Sequence, residues 1–111
     1  MKTFYVNRKT WGTSRLLDID NGKMCCLGFL CRSFGLKSKD ISGYGYPEQM
    51  KASLQNKLPV WLRYELGKSK ELYHQIGRIN DDEILTWEKK EELLKPLFAA
   101  QGIKIVFRGK R

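Results

Sequence analysis

The chain has 111 residues, 41% of them hydrophobic and 30% charged, which is the size and make-up of one globular domain. No apolar run approaches the roughly 18 residues of a membrane span, and the chain turns polar after Phe4-Tyr5-Val6, without the h-region of a secretory signal, so a cytoplasmic protein is expected. Twenty-one Lys and Arg against 12 Asp and Glu give a net charge of +9, which disfavours cationic partners and favours nucleic acid, nucleotides or an acidic protein surface.

The first element expected is a strand over residues 3–7, where aromatic and β-branched side chains fit a pleated surface. A polar loop follows over 8–15, then a short strand or extended arm through Leu16 to Ile19, ended by the turn signal Asp20-Asn21-Gly22. Residues 23–34 read as a helix, with Met24, Leu27, Leu30, Cys31 and Phe34 on one arc and Gly35 as its stop. Cys25 and Phe29 make that helix apolar on a second side, so a central position is expected, and Gly28 would let a neighbouring backbone approach. Residues 37–47 read as a loop, and Pro47 opens a helix over 48–56. Pro59 opens a short helical turn carrying Trp61, Leu62 and Leu66. Ser69 is placed to cap a helix running to Ile79, and Asn80-Asp81-Asp82-Glu83 to break it. Thr86 caps a further helix over 87–100, with Pro96 on its exposed side and Gly102 as its stop. Residues 103–107 alternate like a half-buried strand, and Arg108, Lys110 and Arg111 form a basic tail. Strands at both ends with helices between predict an α+β single domain over 1–111, with about four helices packed on a short sheet formed by the terminal strands.

Three cysteines within seven residues argue against a disulfide scaffold, because neighbouring Cys25 and Cys26 cannot readily bridge and the number is odd. Their C-C-x4-C spacing is not that of a zinc site, and the only histidine, His74, lies far along the chain, where a helix-surface position is expected. Reduced, buried thiols acting as small apolar residues are expected instead. Gly43-Tyr44-Gly45 lacks the further glycines or the GK[ST] of a phosphate loop. Asp81, Asp82 and Glu83 suit either helix capping or a hard metal ion, and capping explains them more simply. No catalytic residue, metal or cofactor is therefore assigned.

Basic and aromatic residues interleave in two places, a pattern in which rings stack bases and cations meet phosphates. We assign partner or anion binding to Arg8, Lys9, Trp11 and Arg15 at one end and to Lys37, Lys39, Tyr44 and Tyr46 at the other. Packing remains the alternative for Trp11 and the two tyrosines, since a small domain needs its aromatics for its core. Eight bases face only Asp18 and Asp20 within residues 1–39, which concentrates the positive charge in the first third. No heptad or exposed apolar stripe sets an oligomeric state, and a dimer stays open.

The run Asp20-Asn21-Gly22-Lys23-Met24-Cys25-Cys26-Leu27-Gly28-Phe29-Leu30-Cys31, with Ile79-Asn80-Asp81 and Leu97-Phe98 through Gly102-Ile103 downstream, resembles a family of small uncharacterised phage and prophage proteins. That family is marked by a Gly-x-x-Cys-Cys-Leu-Gly segment followed by an Asn-Asp step. The resemblance implies a viral or prophage origin and work in the host cytoplasm. It further implies a stoichiometric binding protein of host takeover, most simply an inhibitor of a bacterial defence system that sequesters a host defence protein or a signalling nucleotide. A nucleic-acid-binding regulator is the alternative.

Overall fold

The computed structural model describes residues 2–62 and 67–111, and its elements join into an α+β domain. Strand β1 (Lys2–Asn7) leads through a 3-10 turn (Arg8–Thr10) and an extended arm to helix α1 (Cys26–Ser33). Short helices α2 (Ser38–Ile41) and α3 (Ala52–Gln55) follow, with 3-10 turns at Pro47–Gln49 and Val60–Leu62. Helices α4 (Gly67–Asp81) and α5 (Trp87–Ala99) then lead to strand β2 (Ile103–Arg108). Among the described residues no helix is long and apolar enough to cross a membrane.

The two strands pair with each other, as the sequence predicts, and they run parallel, in register from Lys2 opposite Ile103 to Asn7 opposite Arg108. Parallel neighbours require a long crossover, and here every helix of the protein lies within it. Alternation turns Phe4, Val6, Ile103, Ile105 and Phe107 inward, where α1 covers β1 and α5 covers β2. Phe4 meets Phe98 of α5 edge to face at 5.2 Å between ring centres.

Several expected boundaries move. Helix α1 starts at Cys26 rather than at residue 23, since Met24 is held extended beside Trp11: its amide donates to Thr10 and its carbonyl accepts from Gly12. The helix ends as expected at Gly35, where the Gly35 and Leu36 amides return to the Arg32 and Cys31 carbonyls in a Schellman motif. Residues 37–47 contain α2, fastened by Asp40 accepting from the Lys37 amide at 2.8 Å. The helix expected over 48–56 is broken at Met50 and Lys51, because buried Met50 adopts an extended conformation and its carbonyl accepts from the Gln55 side chain. Val60–Leu62 forms the turn expected after Pro59, whereas Leu66 lies outside the described residues. Helix α4 already includes Gly67, so Ser69 stands inside it rather than at its cap, and the helix continues through Asn80 to Asp81. Thr86 does cap α5, its hydroxyl accepting from the Lys89 amide.

Asn80 is buried and uses its full hydrogen-bonding capacity. Its Oδ1 accepts from Trp11 Nε1 at 2.6 Å and from the Cys26 amide at 3.0 Å, and its Nδ2 donates to the Gly12 carbonyl at 3.0 Å and to Asp81 Oδ1 at 2.9 Å. Its own carbonyl accepts from buried Lys90 Nζ of α5 at 2.7 Å. One side chain thus ties the end of α4 to the arm after β1 and to the start of α1. Close by, Gly28 lies against the arm, and a Cβ there would fall on the Leu16 carbonyl oxygen. The backbone approach expected at Gly28 is therefore present, with the arm as the neighbour.

Replacing Asn80 by Ala leaves the Trp11 and Cys26 donors buried without partners, and should lower stability by about 4 kcal/mol in urea unfolding followed by tryptophan fluorescence. Gly28→Ala should cost about 3 kcal/mol through overpacking. A loss below about 1 kcal/mol for either would show that the arm does not sit where these contacts place it.

Candidate functional site

The structure divides the eight residues assigned to binding. Arg8 is engaged within the protein: its Nε and Nη2 both reach the Glu91 carboxylate at 2.8 Å, and Nη1 donates to the Gly109 carbonyl. The hydrogen bonds it donates to Glu91 hold its guanidinium even more firmly protonated than usual. Trp11 is fully buried between Trp87 at 4.5 Å and Phe107 at 4.8 Å, so it is a core residue and presents no surface. Tyr46 packs on the His74 ring at 4.3 Å and against Gly77, where a Cβ would come within 2.6 Å of the phenol ring. Desolvation raises the Tyr46 pKa. The Trp11 assignment is corrected to a core role, while Arg8 and Tyr46 stay half-buried within these contacts. Lys9 and Arg15 remain exposed, Arg15 donating to the Gly43 carbonyl.

Lys39 and Tyr44 do come together. They line a surface pocket of about 350 Å³ with Asp40, Lys51, Ser53 and Leu54. Helix α2 presents Lys39, while Tyr44 is fixed by its carbonyl, which accepts from the Leu16 amide at 2.7 Å. Asp40 accepts from the Lys37 amide and keeps its negative charge, so two ammonium groups and one carboxylate surround a half-buried aromatic ring. Lys37 is exposed at the start of α2 and does not line the pocket. Lys51 lies near the same basic and aromatic stretch in the sequence, whereas nothing in the sequence marks Ser53.

A second cationic and aromatic pair lies on the outer face of the sheet. Tyr5 is half exposed, and the Arg108 guanidinium stacks over its ring at 3.8 Å. The C-terminal cations are less free than a basic tail implies: Arg111 stacks over Trp87 at 3.2 Å and donates to the Trp11 carbonyl.

The remaining chemistry-bearing residues are held inside the fold. Cys25, Cys26 and Cys31 are free thiols and buried, as expected. Burial pushes the Cys25 thiol up to about 12 and raises the other two as well. Asp82 accepts from the Ile84 and Leu85 amides, which lower its pKa, so it caps the turn before α5 as expected. Asp81 accepts from the Ser14 amide at 2.8 Å and fixes the arm instead. His74 is not simply a surface residue: its Nε2 lies 2.6 Å from Glu48 Oε1. Burial lowers the pKa of Lys90, which stands over the Trp87 ring.

Thiols whose pKa is higher in the folded than in the unfolded chain support stability below the ordinary value of 9.0, and that support is lost as pH rises above it. Lys90, with a lowered folded pKa, works the other way as pH rises toward its ordinary 10.5. Three thiols outweigh one ammonium, so urea-unfolding stability should fall from about pH 9 upward, and a chromogenic disulfide reagent at about pH 8 should find no reactive thiol before denaturant is added. A thiol that reacts in the native protein would contradict its burial.

Compared with protein-family models, characterised proteins and solved structures, the chain matches none of them.

Proposed function

We propose that this is a small basic binding protein that captures an anionic ligand stoichiometrically, without catalysis. The observation that carries the reading is the pocket in which Lys39 and Lys51 flank Tyr44. An aromatic ring with two cations suits a nucleotide, its base on the ring and its phosphates at the ammonium groups. At about 350 Å³ the pocket falls at the small end of ligand sites, which suits part of a nucleotide lying partly in solvent. Binding is favoured over turnover because the strongest potential nucleophiles, the three thiols, are buried and held protonated.

In the phage setting that the sequence resemblance suggests, such a protein would act as an inhibitor of a bacterial defence system by sequestering its signalling nucleotide. A second reading, nucleic-acid binding, is favoured by the Arg108–Tyr5 stack on the sheet face, beside exposed Lys104.

Calorimetric titration with a panel of linear and cyclic nucleotides should give one site per chain. Lys39→Ala and Lys51→Ala should each weaken it about tenfold, because each removes a charge-assisted contact to phosphate. Binding that survives both replacements, or that depends instead on Tyr5 and Arg108 and falls steeply with salt, would overturn the nucleotide pocket and support the second reading.

A further inference from the structure

We propose that the free edge of β2 receives an extended acidic segment of a partner protein as a third strand. β2 is paired on one side by β1, and among the described residues no other strand joins the sheet. Its second edge borders a groove of about 460 Å³, touched by all four consecutive residues 104–107, by Lys95 and Ala99 of α5, and by Arg8. Successive side chains of a strand point to opposite faces, so a groove in contact with four in a row runs along the strand's edge rather than over one face. The other wall is one turn of helix, because Lys95 and Ala99 are four residues apart and share a side of α5. Ala99 keeps that wall low enough for a backbone to enter.

The geometry suits strand addition, in which main-chain hydrogen bonds supply affinity and alternate side chains supply specificity. Residues 104–107 span about 13 Å, so a partner segment of about four residues would fill the edge. Charge decides what that segment carries. Lys95 and Lys104 are exposed on the two sides of the groove, and the whole chain carries +9, so a second copy of this protein would be repelled and an acidic strand attracted. Val106 and Ala99 add apolar contact for the small side chains between the acids. The groove shares no residue with the Lys39–Tyr44–Lys51 pocket, so either site can fail without the other.

The test uses the full chain, labelled for amide NMR, and the blocked hexapeptide Val-Glu-Val-Glu-Val-Glu. Amide shifts are expected at residues 104–107 and 95–99. Two N-methylated peptides, one blocked on the valine amides and one on the glutamate amides, should differ, because only one set of amides faces β2. The Lys95→Glu, Lys104→Glu double variant should bind the acidic peptide at least about tenfold more weakly while nucleotide titration is unchanged. Ala99→Trp should abolish peptide binding by filling the groove, with circular dichroism confirming the fold. No shifts at the edge, equal binding of both methylated peptides, or equal binding of a lysine version would each overturn the proposal. So would the same edge shifts produced by a dT oligonucleotide, or a concentration-dependent dimer dissolved by Ala99→Trp, which would give the edge to nucleic acid or to a second copy.

Discussion

A single buried amide holds this protein's parts in register. Asn80 accepts twice and donates twice through its side chain, and three of these bonds run to the arm and to the start of α1. The arm after β1 contains no regular element beyond two isolated bridges, so its position depends on partners supplied from elsewhere. Asn80 and Asp81 supply them at Trp11, Gly12 and Ser14. Once the arm is fixed, the Leu16 carbonyl lies over Gly28 and the first turn of α1 can seat. The amide is costly to bury alone and strongly directional once satisfied, which makes it a specifier of geometry as much as a source of stability.

This arrangement also accounts for the residues that stand out in the sequence. Within the Cys25-Cys26-Leu27-Gly28 run, Cys25 precedes the first residue of α1, the Cys26 amide meets Asn80, and Gly28 makes room for the arm. Asn80-Asp81 is the other half of the same contact. The two most distinctive motifs are therefore one joint, formed by segments more than fifty positions apart. Their distinctiveness reflects a demanding fit inside the fold, and binding chemistry has to be sought at other places on the surface.

How far the sequence could be read follows the range of the interactions involved. The Gly35 stop and the Thr86 cap rest on contacts within a few residues, and alternation exposes the terminal strands although their pairing spans about a hundred positions. The break at Met50 depends on the burial of its side chain and on the Gln55 side chain that donates to its carbonyl, which local propensity does not carry. The Lys39–Tyr44 pocket was legible because both residues lie close in sequence. Arg8 read as a free cation because its carboxylate partner stands 83 positions away on α5. Trp11 read as an open question because Asn80, 69 positions away, decides it. Tyr46 depended on a glycine one helix later. Charge and aromaticity mark the residues able to bind a partner, while long-range pairing determines which of them remain available.

The parallel pairing of β1 with β2 bears on how the chain comes to be folded as it is made. Strand β1 leaves the ribosome well before the strand it pairs with, which is translated about a hundred residues later. At about 5–20 residues per second, β1 waits on the order of 5–20 s for its partner strand. The helical body can gather in that interval, but its sheet closes only after Arg108 has emerged. The slowest event of such a fold is the meeting of its two most distant strands.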